Sequence, residues 1–203
     1  MKLWYAPNTR AVRIKWLLDE LGLDHELERL KLGDPAMRSP EYQQVHPLGR
    51  VPVLEDGPVR MIESGAIAQY LLATYDTDHR LHPRPDQESF PDYLQWLHFA
   101  EGMLMPPVNT LVVETILLPP EKRNDVNVDR ARKLLGRMLS AVDRAMDGKA
   151  HLAGAFSGAD ILTGHACIVS ARLWGGDLES LPHLKAYIER LKARPALASA
   201  WDA

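Results

Sequence analysis

Two short stretches of the chain combine residue types that could hold a small acidic peptide. The longer one, residues 49–64, reads Gly49-Arg50-Val51-Pro52-Val53-Leu54-Glu55-Asp56-Gly57-Pro58-Val59-Arg60-Met61-Ile62-Glu63-Ser64. Asp56-Gly57 between two apolar runs signals a hairpin, with strands over 51–55 and 59–62. Pro52 cannot donate to a ladder and belongs at the first position of a strand. Its X-Pro bond is a candidate for the cis form, which would turn the Val51 main chain outward, free to pair with something extended. Glu63-Ser64 then meets the start of a helix, whose amide N–H groups favour an anion. The shorter stretch, Ala6-Pro7-Asn8-Thr9-Arg10, joins a first strand to a first helix, and Asn8 and Thr9 also suit plain helix capping.

The surrounding elements must bring these stretches together. Residues 2–5 read as a strand ended by Pro7, and Val12, Ile14, Trp16, Leu17, Leu18 and Leu21 give a helix stopped by Gly22. A strand over 26–32 completes a βαβ unit with a parallel pair. A loop containing Pro35 and Pro40, with one helical turn near Tyr42, leads to Gly49; the hairpin and a helix over 64–75 follow. Prolines and charges dominate 76–92, and everything beyond reads as helical. Pro106-Pro107 should kink or break a helix over 91–115. A second helix spans 125–147, and Ser157-x-x-Asp160 opens a third through a capping box. Short helices over 186–191 and 194–197 end the chain. The expected organisation is a domain over 1–78, a linker over 79–90 and an all-helical domain over 91–203, so the fold class is α/β followed by all-α.

Composition narrows the function classes. Hydrophobic residues make up 46% and charged residues 25% of the 203, which is ordinary for a globular protein. A net charge of −3 with no basic run gives no reason to expect nucleic acid. The single Cys167 rules out an internal disulfide, fits a reducing compartment and reads as a core residue. No apolar run reaches the ~18 residues of a membrane helix, and no signal peptide is recognisable. His79-x-x-His82 has no third ligand at suitable spacing, so no metal is expected.

Taken together, the motifs resemble those of the cytosolic glutathione transferase family, bacterial nu, beta or theta-like in type. The family carries Gly-(Lys/Arg)-Val-Pro-x-Leu, here Gly49-Arg50-Val51-Pro52-Val53-Leu54, then Glu-Ser or Asp-Ser, here Glu63-Ser64. Its central buried helix opens with a Ser/Thr-x-x-Asp box, here Ser157 and Asp160. The resemblance spans essentially the whole chain. It implies a thioredoxin-like βαβ–ββα domain, a helical bundle, glutathione as co-substrate, a homodimer, no metal and a cytoplasmic detoxification role. For the tripeptide it implies main-chain bonds from Val51 beside Pro52, and Ser64 on the γ-glutamyl carboxylate with Glu63 on its ammonium. Arg50 would meet the glycyl carboxylate, and His46, where many relatives have asparagine, would support. Glu101 would reach the neighbouring subunit's glutathione, and Met103, Met105 and Val108 would line an electrophile pocket.

The thiol contact is the open position. The hydroxyl of the serine classes is missing at Ala6, and Tyr5 stands one residue early for the tyrosine role. Asn8 occupies the place of cysteine in the beta class and asparagine in the nu class. Asn8 is therefore the expected sulfur contact, assisted by Thr9, through its hydroxyl or amide, and by Arg10. The leading reading is a glutathione transferase. A glutathione-dependent peroxidase or disulfide reductase, and a non-catalytic binding or scaffold protein of the same fold, are the alternatives.

Overall fold

Along Lys2–Tyr5 (β1), Leu3 and Tyr5 are fully buried while Lys2 and Trp4 are partly exposed, the alternation of a half-covered strand. In the computed structural model, which describes all of Met1–Ala203, β1 lies inside a four-stranded sheet. It pairs in parallel with Glu26–Arg29 (β2) and antiparallel with Val53–Asp56 (β3), which pairs antiparallel with Val59–Met61 (β4). The order is β2-β1-β3-β4. Helices Ala11–Leu21 (α1), Pro40–Gln43 (α2) and Ser64–Tyr75 (α3) complete the expected βαβ–ββα succession.

The strands are shorter than the expected 26–32, 51–55 and 59–62. β2 ends early because its partner β1 stops at Tyr5, whose C=O takes a last bond from Leu30 N–H (2.8 Å), and Leu32 turns into solvent. β3 starts two residues late because Val51 and Pro52 stay outside the ladder. A 3₁₀ turn at Pro35–Arg38 precedes α2, each capped by the residue before it, Asp34 and Ser39.

The chain divides into two units, Met1–Arg80 with Lys192–Ala203, and Leu81–Leu191. The second unit begins inside the expected linker, and the last helix, Pro195–Asp202 (α9), belongs to the first unit. The reason is α1, which buries every residue from Ala11 to Leu18 and needs cover on more than one side. α9 supplies it with Leu197 and Ala200, both buried. Tyr5 Oη donates to Ala200 C=O (2.8 Å), Lys15 Nζ to Ser199 Oγ (3.2 Å), and Arg194 grips Glu20 with two bonds of 2.7 Å.

The second unit is helical: Phe90–Phe99 (α4), Met105–Val112 (α5), Asp125–Ala145 (α6), His165–Trp174 (α7) and most of Pro182–Lys192 (α8). Pro106-Pro107 do not break the chain's helical path. They fall in the first turn of α5, just after a wide π turn at Ala100–Leu104 whose last bond runs from Met105 N–H to Ala100 C=O. Prolines need no N–H partner in a helix's first turn, and the widened turn makes room for their rings.

The capping box forms and does more than cap. Asp160, fully buried, accepts from Ser157 N–H (2.9 Å), Ser157 Oγ (3.2 Å), Leu152 N–H (3.0 Å) and Tyr187 Oη (2.9 Å). One carboxylate thus ties a loop, a π turn and α8 together. Asp160→Ala would strand several buried donors, and the second unit should lose about 3–5 kcal/mol of stability in denaturant unfolding. Asp160→Asn, which keeps one accepting oxygen, should lose less; equal losses would mean that the bonds are not what holds this corner.

Candidate functional site

Register decides which loops share one end of the sheet. Trp4 pairs with Val53 and Leu54 with Met61. Extending both antiparallel ladders by a residue or two sets Tyr5 and Ala6 beside Pro52 and Val51, and Val51-Pro52 beside Glu63. The turn 6–10, the Val51-Pro52 step and the start of α3 therefore meet at one edge, so the three expected parts of the site come together in the first unit.

The turn after β1 is built on Asn8, an exposed residue with φ 58°, in the left-handed region that asparagine tolerates better than most. Thr9 does the capping. Its hydroxyl donates to Ala6 C=O (2.6 Å) and accepts from Ala11 N–H (3.1 Å). The Thr9 hydroxyl, expected as an assistant to the sulfur contact, thus has its single proton on Ala6 C=O. Arg10, half-buried, is the residue before α1 and makes no side-chain cap. Asn8 makes no capping bond either, so plain capping does not account for it.

Across the edge, the Val51-Pro52 bond is cis. Pro52 is buried and Val51 half-buried, and both precede the first ladder residue. The loop before them is pinned from behind. Tyr42 Oη donates to Arg50 C=O (2.9 Å) while Trp4 packs edge-on against the Tyr42 ring at 5.5 Å. Burial pushes the Tyr42 phenol up to about 12, so it stays a donor. Gly49 has φ 60°, and a Cβ there would stand 2.3 Å from Met37 C=O; no other residue fits. His46 is buried, and its Nδ1 accepts from Leu48 N–H (3.1 Å), which leaves the ring proton on Nε2. Burial first, and the Arg50 charge second, lower the His46 pKa, partly opposed by a backbone hydrogen bond and by Glu63. Arg50 itself is exposed.

Glu63 also sits in the left-handed half of backbone space (φ 73°), exposed at the tip of α3. α3 has no side-chain cap, so the amides of its first turn remain available to an outside acceptor. Ser64, its first residue, is buried, and the fully buried Arg13 of α1 points Nη1 at its hydroxyl oxygen (3.5 Å). A guanidinium under a helix N-terminus deepens the positive potential there. Arg13 was not anticipated; the signal was a charge set among Ala11, Val12 and Ile14. At the hairpin, Asp56 accepts from Tyr70 Oη (2.8 Å) and Tyr75 Oη, which fixes α3 to the sheet. Those bonds, Tyr75's foremost, lower the Asp56 pKa.

The remaining expected residues lie in the second unit. Glu101 and Met103 belong to the π turn, half-buried and exposed respectively. Met105 and Val108 are core residues of that unit, at 5% and 1% exposure, so of the three apolar side chains only Met103 presents a surface. Cys167 is buried in α7. No group of three or more His, Cys, Asp or Glu converges as a metal site, and no helix is long and apolar enough to cross a membrane.

Residues 1–73 match the family described as the N-terminal domain of glutathione S-transferase, and residues 104–195 its C-terminal domain. Glutathione S-transferase 4 of Zea mays is 33% identical over 197 residues, 95% of this chain and 87% of that protein. A glutathione transferase from Phanerochaete chrysosporium, solved with oxidized glutathione, superposes with a TM-score of 0.88 at 25% identity, over 99% of this chain and 94% of its own. A sphingomonad glutathione S-transferase complexed with glutathione superposes with a TM-score of 0.84 at 25% identity, over 100% and 98%.

The His46 environment makes a prediction of definite sign. A histidine whose folded pKa is lowered binds fewer protons folded than unfolded, so its contribution is full above about 6.5 and falls as pH drops below it. An NMR titration of His46 should give a midpoint under that value. Exchange of the Leu48 amide should quicken over the same interval. His46→Asn, whose Oδ1 can still accept from Leu48, should abolish the pH dependence; a midpoint at or above 6.5 would contradict the burial argument.

Proposed function

The chain belongs to the glutathione S-transferase family, and on that premise we propose that its first unit binds glutathione, ionises the thiol and transfers the sulfur to an electrophilic carbon. The observation that carries this reading is the convergence of three features on one sheet edge: unladdered peptide groups at Val51-Pro52, the uncapped start of α3 with Ser64 over Arg13, and left-handed Asn8.

In this reading, the Val51 main chain pairs with the cysteinyl unit as an added strand would. Ser64 and the first amides of α3 receive the γ-glutamyl carboxylate, with the Arg13 charge behind them, and Glu63 takes the ammonium. Arg50 meets the glycyl carboxylate, and neutral His46 holds the Arg50 loop in shape. A free thiol has a pKa of about 8.5. The Asn8 amide, assisted by the Thr9 main-chain amide and the Arg10 charge, favours the thiolate, and the thiol proton leaves to solvent. The sulfur lone pair then forms the new C–S bond as the electrophile's leaving group departs with its electrons. Glutathione held and ionised in advance removes much of the barrier through proximity.

On the helical unit we assign exposed Met103 to contact the electrophile, with Met105 and Val108 as its packed support. Glu101 is assigned to the ammonium of a glutathione on a second copy of the chain, in a homodimer. Asn8 supports a bacterial nu-like rather than a serine-type active site. A cytoplasmic role in detoxification follows from the same reading.

Asn8 must be tested apart from its backbone. Asn8→Gly keeps φ positive and removes the amide, whereas Asn8→Ala also strains the turn. Wild type should bind glutathione with a thiol pKa clearly under the free value, read by thiolate ultraviolet absorbance. Asn8→Gly should bind within a few-fold while its thiol pKa returns toward the free value. An unchanged pKa would move the role to the Thr9 amide. Ser64→Ala should weaken binding by about tenfold or more, as loss of a charge-assisted bond does. Parallel assays with an aryl halide and with cumene hydroperoxide separate transfer from peroxide reduction. Activity in neither, or failure to bind glutathione in calorimetry, would overturn the enzymatic reading in favour of a scaffold.

A further inference from the structure

A second, unrelated concentration of chemistry lies in the helical unit, along the outer face of α6. Arg132, Lys133, Arg137 and Arg144 line one groove of about 530 Å³ together with Trp174 at the end of α7. That volume is within the range of small-molecule sites, roughly 300–1,000 Å³. The four cations follow helical spacing, and the row extends over about 18 Å of helix at 1.5 Å per residue. Gly136 and Ser140 stand between them and leave the floor low.

Three details make this more than a solvated helix face. Trp174 is seated between glycines: a Cβ at Gly136 would stand 2.6 Å from its Nε1, and one at Gly176 would stand 2.4 Å from its ring. The indole therefore forms a wall that only glycine at both positions permits. None of the four cations forms a salt bridge within the chain. The carboxylate next to Arg144 does not compensate it either. Asp143 turns inward, is buried, and accepts from Leu184 N–H (2.9 Å), and the Ser140 hydroxyl donates to Gly136 C=O (2.8 Å). The other acids of the helix, Asp125 and Asp129, precede the groove at its N-terminal end.

Four like charges side by side repel one another, and they do so on a chain whose net charge is −3. Arginine forks and a lysine ammonium are suited to phosphate oxygens, and a tryptophan face to a planar ring. We propose that this groove binds a small aromatic polyanion, with a nucleoside polyphosphate as the class that joins ring and charges in one molecule. Its base would lie against Trp174 and its phosphates along Lys133, Arg137 and Arg144. The inference is independent of the glutathione reading, because it uses no residue of the first unit.

Calorimetry on the full chain, in chelator and at low salt, tests it with three probes: ATP, AMP and inorganic tripolyphosphate. ATP should saturate one site per chain, with AMP weaker for want of charge and tripolyphosphate weaker for want of a ring. Lys133→Gln and Arg137→Gln, both exposed, should each weaken ATP by about tenfold, with circular dichroism verifying the fold. Trp174→Leu should weaken ATP and leave tripolyphosphate unchanged. Glutathione binding should be the same in all three variants. No ATP binding at millimolar concentration, or ATP binding indifferent to the two Gln variants, would overturn the proposal. So would tripolyphosphate binding as tightly as ATP, or a marked preference for anionic vesicles or RNA.

Discussion

The first unit depends on a backbone constraint: two strands that cannot keep pairing. Beyond Trp4↔Val53, the antiparallel ladder would next set Tyr5 against Pro52 and Ala6 against Val51. Pro52 has no N–H to give, and Pro7 stops β1 from the other side. The sheet therefore opens at that end, and its peptide groups are left to whatever approaches. β4 delivers Glu63 to the same end, because its own register with β3 is fixed by Leu54↔Met61. An open edge and a helix tip arrive together from one pairing scheme.

An open edge is useful only if it holds its shape, and most of the local contacts serve that. Gly49 lets the loop press onto Met37 C=O, Tyr42 ties Arg50 C=O from beneath, and Asp56 anchors α3 through two tyrosines. Two non-glycine residues at that edge have positive φ, Asn8 and Glu63. Such conformations cost of order 1–3 kcal/mol each and persist only where the surroundings over-determine them. Both lie between elements, at the open end of the sheet, rather than in the helices or strands.

What could be read from sequence divides along the same line. Features dictated by backbone chemistry were legible: the hairpin at Asp56-Gly57, the special bond at Pro52, the helix start at Ser64 and the Ser157–Asp160 box all follow from single residues with narrow conformational demands. Features that depend on tertiary cover were not. Arg13 looks like the polar side of α1 until α1 proves to be buried all round. That the Thr9 hydroxyl donates to Ala6 C=O is a contact its type alone does not reveal. Pro106-Pro107 look like a break because local rules cannot foresee a π turn just before them. Met105 and Val108 have chemistry that suits a pocket or a core alike, and only the structure shows both buried.

The C-terminal helix reveals why a unit's boundary need not be contiguous. α1 is nearly saturated with buried residues, including the cations Arg13 and Lys15, so it cannot rest on the sheet and α3 alone. Lys15 is satisfied by Asp19 (2.8 and 2.6 Å) and by Ser199 of α9, and Glu20 by Arg194. Burying a cation without such partners would cost several kcal/mol. α9 thus holds α1 in place, α1 carries Arg13, and Arg13 supports Ser64 at the tip of α3. Residues almost two hundred positions from the first strand thereby bear on the electrostatics of the open edge, through a series of contacts that never leaves the first unit.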